Sequence, residues 1–75
     1  MNRLVEELKG TGKIYTENGF YVIEREADGK SYTIYPTERA KNPENVVRNI
    51  QGEGAAVEKA IKMENEEISK NLGVK

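Results

Sequence analysis

Apolar residues recur along this chain with two different periods, and the change of period marks the elements. Leu4, Val5 and Leu8 fall at helical spacing, which predicts a short opening helix capped by Asn2 and stopped by Gly10. From Gly12 to Tyr35 the period drops to two. GKIYTENGFYVIEREADGKSYTIY holds three runs rich in β-branched and aromatic residues, split by Asn18-Gly19 and Asp28-Gly29. Both dipeptides favour two-residue type I′ turns, so the stretch reads as a three-stranded antiparallel meander. Such turns set Ile14 opposite Ile23 and Ile23 opposite Ile34. Three-residue loops would shift each pairing by one and bring Thr33 against Ile23. The first register makes a continuous aliphatic row and is preferred for that reason. Alternation then puts Ile14, Thr16, Tyr21, Ile23, Tyr32 and Ile34 on a core face. The second face carries Lys13, Tyr15, Glu17, Phe20, Val22, Glu24, Thr33 and Tyr35.

Pro36 ends the third run. Asn42 at a helix cap, Pro43 at the first helical position and Glu44 next to it predict a second helix, with Val46, Val47 and Ile50 on its apolar side. Gly52-Glu53-Gly54 reads as a hinge. A longer helix follows from about Ala55 to Leu72, with Gly73 as its cap. Its stripe is Val57, Ala60, Ile61, Ile68 and Leu72, with Met63 alongside and Glu64-Asn65-Glu66-Glu67 facing away. The expected fold is α+β in the order αβββαα, one domain over residues 1–75 with a single meander packed by helices.

Composition narrows the chemistry. The chain has no cysteine and no histidine, which removes disulfides, thiolate nucleophiles, Cys/His zinc sites and histidine acid–base catalysis. No apolar run approaches the ~20 residues of a membrane span, and Met1-Asn2-Arg3 opens into a helix pattern instead of a signal peptide. A cytoplasmic protein without membrane contact is expected. Charged residues make up 33% of the chain, yet the formal net charge is −1, so no field of one sign draws in nucleic acid or a membrane.

Short matches to catalytic motifs fail on context. Gly29-Lys30-Ser31 resembles the end of a phosphate-binding loop, but Glu24 stands where the first glycine belongs and the segment joins two strands. Gly52-Glu53-Gly54 lacks a preceding strand and a third glycine, so it is no dinucleotide fingerprint. Glu24 and Glu26 share one side of a strand without further ligands nearby, and a solvated strand end explains them. Ser31 and Ser69 have no histidine to activate them. The expectation is a non-enzymatic protein without cofactor or metal.

The second face of the sheet remains. In the preferred register Tyr15, Val22 and Tyr35 stand side by side, with Phe20 at one end and Glu17, Glu24 and Lys13 around them. Such a face is either sandwiched by a helix or left for a partner. Aromatic anchors with a rim of glutamates suit a protein partner, and Tyr15, Glu17, Phe20, Glu24 and Tyr35 are the candidate binding residues. A nucleic-acid-binding accessory domain is the alternative, using Arg39, Lys41 and Arg48 with the sheet aromatics. Were the face covered, the outer side of the long helix with Glu64, Glu66 and Glu67 would be the binding surface.

The opening MNRLVEELK, the segment EREADGKSYTI and the helix segment VEKAI, in that order, resemble the small prophage-encoded anti-CRISPR proteins that inhibit Cas9. The resemblance leaves Asn42 to Gly54 unmatched. It implies an inhibitor that binds a host defence protein directly and presents carboxylates to a basic surface that reads DNA, although this chain is nearly neutral where that family is strongly acidic. The double-stranded-RNA-binding fold shares part of the layout, but Gly54-Ala55-Ala56-Val57 stands where its final helix opens with lysines.

Overall fold

A computed structural model describes residues 3–71; the cap residues Asn2 and Gly73 and the stripe residue Leu72 lie outside the described residues. The elements are α1 (Arg3–Thr11), β1 (Lys13–Tyr15), β2 (Tyr21–Arg25), β3 (Ser31–Pro36), β4 (Val47–Gln51) and α2 (Glu53–Asn71). The four strands form one antiparallel sheet in the order β1-β2-β3-β4. The class is α+β, as expected, with one strand more and one helix fewer than the sequence pattern suggested.

Helix α1 buries Leu4 and Leu8, one turn apart. It runs through Gly10 and ends only at Gly12, whose N–H donates to the Leu8 carbonyl at 2.8 Å. The Arg25 guanidinium reaches across from β2 and donates to the Lys9 carbonyl (2.9 Å), in the last turn where helix carbonyls lack intrahelical partners, and also approaches the Leu8 carbonyl (3.4 Å). Thr11 closes the corner. Its hydroxyl bonds the Glu7 carbonyl at 2.9 Å and also accepts from the Lys13 N–H at 3.2 Å, which occupies an outward-facing edge group of β1.

The strand register follows the aliphatic row: Ile14 faces Ile23 and Ile23 faces Ile34. The turns differ from expectation. Glu17–Phe20 and Ala27–Lys30 form four-residue loops, each with a β-turn closed by a glycine N–H, Gly19 to Thr16 and Gly29 to Glu26, both at 2.9 Å. Positive φ occurs at Gly19 and Gly29 but not at Asn18 or Asp28, whereas a type I′ turn needs it at both central residues. Carboxylates decide the matter. The N–H of Phe20, which would close a two-residue turn, donates instead to Glu64 at 3.1 Å, and the N–H of Lys30 donates to Asp28 at 2.8 Å. A four-residue loop is centred on the same dipeptide as a two-residue one, so the register survives the change.

The segment read as a second helix forms β4. Asn42 does cap, since its side chain accepts the Glu44 N–H at 2.9 Å, but only one turn follows. Val47 then faces Ile34 and Ile50 faces Tyr32, with a bulge between them. At that bulge Asn49 adopts φ +59° and donates its N–H to the Glu26 carboxylate at 2.9 Å. The extra residue brings Val47 and Ile50 onto one face although they are three positions apart. Gly52 accordingly joins a strand to α2 instead of two helices.

Both helices lie on the same face of the sheet. Helix α2 packs on β2, β3, β4 and α1, while α1 packs on β1. One apolar cluster holds Leu4, Leu8, Ile14, Tyr21, Ile23, Tyr32, Ile34, Ala56, Val57, Ala60 and Met63 together. Every residue assigned to the core face is buried. Tyr32 directs its hydroxyl to Glu53 at the start of α2 (3.4 Å), and Arg25 sits 5.8 Å from its ring centre.

Two glutamates of α2 do not face away. Glu64 is 3% exposed and its carboxylate accepts hydrogen bonds from the Thr16 hydroxyl (2.5 Å), the Asn18 N–H (3.1 Å), the Asn18 side-chain amide (3.2 Å) and the Phe20 N–H (3.1 Å). It latches the β1–β2 hairpin onto the helix. Glu67, 8% exposed, accepts the Tyr21 hydroxyl (3.3 Å) and the Lys41 N–H (3.3 Å), tying the β3–β4 connection to the same helix.

Candidate functional site

Strand alternation places Tyr15, Val22 and Tyr35 in one row across β1, β2 and β3, on the face opposite the helices. No described element covers that row. Tyr15 is 56% exposed, the large apolar side chain most open to solvent among the described residues, and Val22 and Tyr35 are half-buried. Lys13 and Glu24, paired across β1 and β2, form a second, exposed row beside the first. Farther along that row Thr33 is buried, its hydroxyl donating to Glu26 at 2.7 Å.

Strand β4 brings in a residue that sequence reasoning assigned elsewhere. The Arg48 guanidinium stands 5.9 Å from the centre of the Tyr35 ring, on the exposed side of the sheet. That is cation–π distance, and the contact holds the Tyr35 ring at the edge of the row. The clue was the β-branched pair Val46-Val47 with Ile50, residues that suit a strand as well as a helix.

The five candidate residues do not all meet. Tyr15, Glu24 and Tyr35 share the open face. Phe20, only 9% exposed, belongs to the core cluster, because its position falls in the four-residue loop rather than on the strand where alternation would apply. Glu17 lies at the hairpin tip and lines a cleft of about 450 Å³ with Arg3, Leu4, Asn18, Ile61, Glu64 and Asn65. The rim of the open face is therefore mixed in charge, with Lys13, Glu24 and Arg48, instead of acidic. Arg39 and Lys41 are exposed on the β3–β4 connection, and Arg39 lies beside Gly19 of the first hairpin.

Ionisable groups are placed for structure. Asp28 accepts from Lys30 N–H, Ser31 N–H and the Ser31 hydroxyl at 2.8 to 2.9 Å, and these bonds hold its carboxyl below the usual range. Burial pushes the Tyr21 phenol above its ordinary value, and the neighbouring Glu67 carboxylate adds to the shift, while the amide of Asn45 opposes it. Among the described residues no three Asp or Glu side chains converge as a metal site would need, and no helix is long and apolar enough to cross a membrane. Comparison with protein-family models, with curated proteins and with solved structures returned no match.

Proposed function

We propose that this protein is a non-enzymatic binding module that engages another protein through the open face of its sheet. The observation that carries the reading is the uncovered row Tyr15–Val22–Tyr35 with both helices on the opposite side. Two tyrosines flanking a valine supply rigid contact area, and their hydroxyls hydrogen-bond at the edge of a buried patch. Lys13, Glu24 and Arg48 form a rim of both signs, which selects a partner of complementary pattern and disfavours a uniformly charged one. The sharpest form is a phage-encoded inhibitor of anti-CRISPR type acting in the cytoplasm on a host defence protein. That form rests on the sequence resemblance. The mixed rim favours protein contacts over mimicry of DNA phosphates, since the cations Lys13 and Arg48 stand beside the row along with Glu24.

A second reading draws support from Arg48. An arginine stacked on Tyr35, on an open four-stranded sheet that also shows Tyr15, is a platform on which unpaired bases stack. Salt separates the two readings. Single-stranded RNA and DNA are titrated at several ionic strengths, alongside capture of proteins from a bacterial lysate and from a panel of CRISPR effectors. Protein binding with shallow salt dependence, and no nucleic-acid binding at physiological salt, is expected. Micromolar nucleic-acid affinity that falls steeply with salt would replace the protein partner by an RNA or DNA strand.

A further inference from the structure

Of the seven asparagines only Asn18 precedes glycine; the others precede Arg, Pro, Val, Ile, Glu and Leu. A glycine nitrogen with no neighbouring β-carbon meets the least hindrance in attacking the preceding side-chain amide. Asn18 is exposed at the tip of the β1–β2 hairpin, yet its Nδ2 donates to Oε1 of the buried Glu64 at 3.2 Å and its N–H donates to Oε2 at 3.1 Å. The one reactive asparagine thus supplies two of the four bonds of the Glu64 latch.

We propose that Asn18-Gly19 is a site of spontaneous covalent modification, deamidation through a succinimide, and that its product releases the hairpin from α2. The backbone nitrogen of Gly19 loses its proton and forms a bond to Asn18 Cγ. The side-chain nitrogen leaves as ammonia, carrying that proton away. Water then opens the ring at either carbonyl, giving aspartate with the chain unchanged or isoaspartate with the chain routed through the side chain. No oxidant or reductant takes part.

Either product undoes the latch. Aspartate replaces a donor by a carboxylate at the position where Nδ2 lay 3.2 Å from Glu64, and two carboxylates at that distance cannot both stay ionised without a cost. Isoaspartate lengthens the backbone within the loop and displaces the Asn18 and Phe20 N–H groups from their shared acceptor. In the intact protein the Gly19 N–H is held by the Thr16 carbonyl at 2.9 Å, so attack follows hairpin opening and Glu64 sets its frequency. Asp28-Gly29, the sister turn, is protected from the same ring closure: that route needs a protonated carboxyl, and three hydrogen bonds keep Asp28 ionised.

The full chain is incubated at mildly alkaline pH and 37 °C and mapped by peptide mass spectrometry, with isoaspartate measured by enzymatic methylation. Asn18 is expected to convert ahead of every other asparagine. Asn18→Asp, which makes one product directly, is expected to melt at least about 5 °C below the parent, while neutral Asn18→Ser stays closer to it. Conversion at Asn18 no faster than at the other asparagines overturns the site. An Asn18→Asp protein that melts with the parent, or an Asn18→Ser protein that falls as far, overturns the release of the latch by charge.

Discussion

Replacing Glu64 by alanine removes the acceptor of four hydrogen bonds at a position 3% exposed. Not all four losses count equally. Thr16 can turn its hydroxyl to the Tyr21 carbonyl, already 3.3 Å away, and Asn18 is open to water. The Phe20 N–H belongs to a buried residue and donates to Glu64. An orphaned buried donor costs about 1–3 kcal/mol and a lost charge-assisted bond about 1.5–3, without simple additivity. A net cost of about 2–4 kcal/mol follows, offset little by the charge removed. For a domain of this size each kcal/mol moves the melting temperature by roughly 4–8 °C, so Glu64→Ala should melt about 8–30 °C below the parent. Circular dichroism melts would read it, with exposed Glu66→Ala, on the same helix and of the same charge, as control. If both variants melted within a degree or two of the parent, the latch would not hold the hairpin and the account of the four-residue loop would fail.

Ile23→Ala, at the centre of the fully buried row, should cost ~2–5 kcal/mol, whereas half-buried Val22→Ala on the open face should cost well under half as much; chemical denaturation compares them. Asn49→Gly should be neutral or stabilising by up to ~1 kcal/mol in the same assay, because φ +59° suits glycine, and a clear loss would mean that the Asn49 side chain shapes the bulge. Asp28 is held below its unfolded value, so its contribution is present above that value and is lost as pH falls through the folded one. Stability measured below pH 4 should therefore decline less steeply in Asp28→Ala than in the parent. Tyr21 has the opposite sign: its folded value is raised, so its share is full below the ordinary phenol range and fades at higher pH, a loss that Tyr21→Phe should not show.

Register and face assignment on the strands were legible because one pairing alone makes a continuous aliphatic row: a shift of one residue at the first turn would take Ile14 away from Ile23, and one at the second would place Thr33 against Ile23. The turn type was not, because Asn-Gly and Asp-Gly serve four-residue loops as well, and the deciding carboxylate at the first loop, Glu64, is 44 residues from the N–H it accepts. Strand β4 was misread for a geometric reason. Val46, Val47 and Ile50 have helical spacing, and the bulge at Asn49 lets Val47 and Ile50 share a face within a strand. Helical periodicity likewise assigned Glu64 and Glu67 to solvent from their type. Their positions one turn from Ala60 and Met63 place them over the hairpin and Tyr21, where donors await them. On the candidate site, Tyr15, Glu24 and Tyr35 could be grouped from alternation. Phe20 and Glu17 could not, since alternation ends where the loop begins, and Arg48, a candidate from the sequence for the nucleic-acid alternative, could be set beside Tyr35 only once β4 was known to be a strand.

The measurement that bears most directly on the proposed binding face is the separation of stability from binding in Tyr15→Ala. With the ring 56% exposed on β1 and no described element over it, the variant should melt within a few degrees of the parent. Its capture of the protein partner should fall roughly thirtyfold or more, as the loss of a central aromatic anchor does, while Glu66→Ala on the far side of α2 retains it. A Tyr15→Ala protein that melts like the parent and binds like the parent would contradict the account and move the binding surface off the sheet.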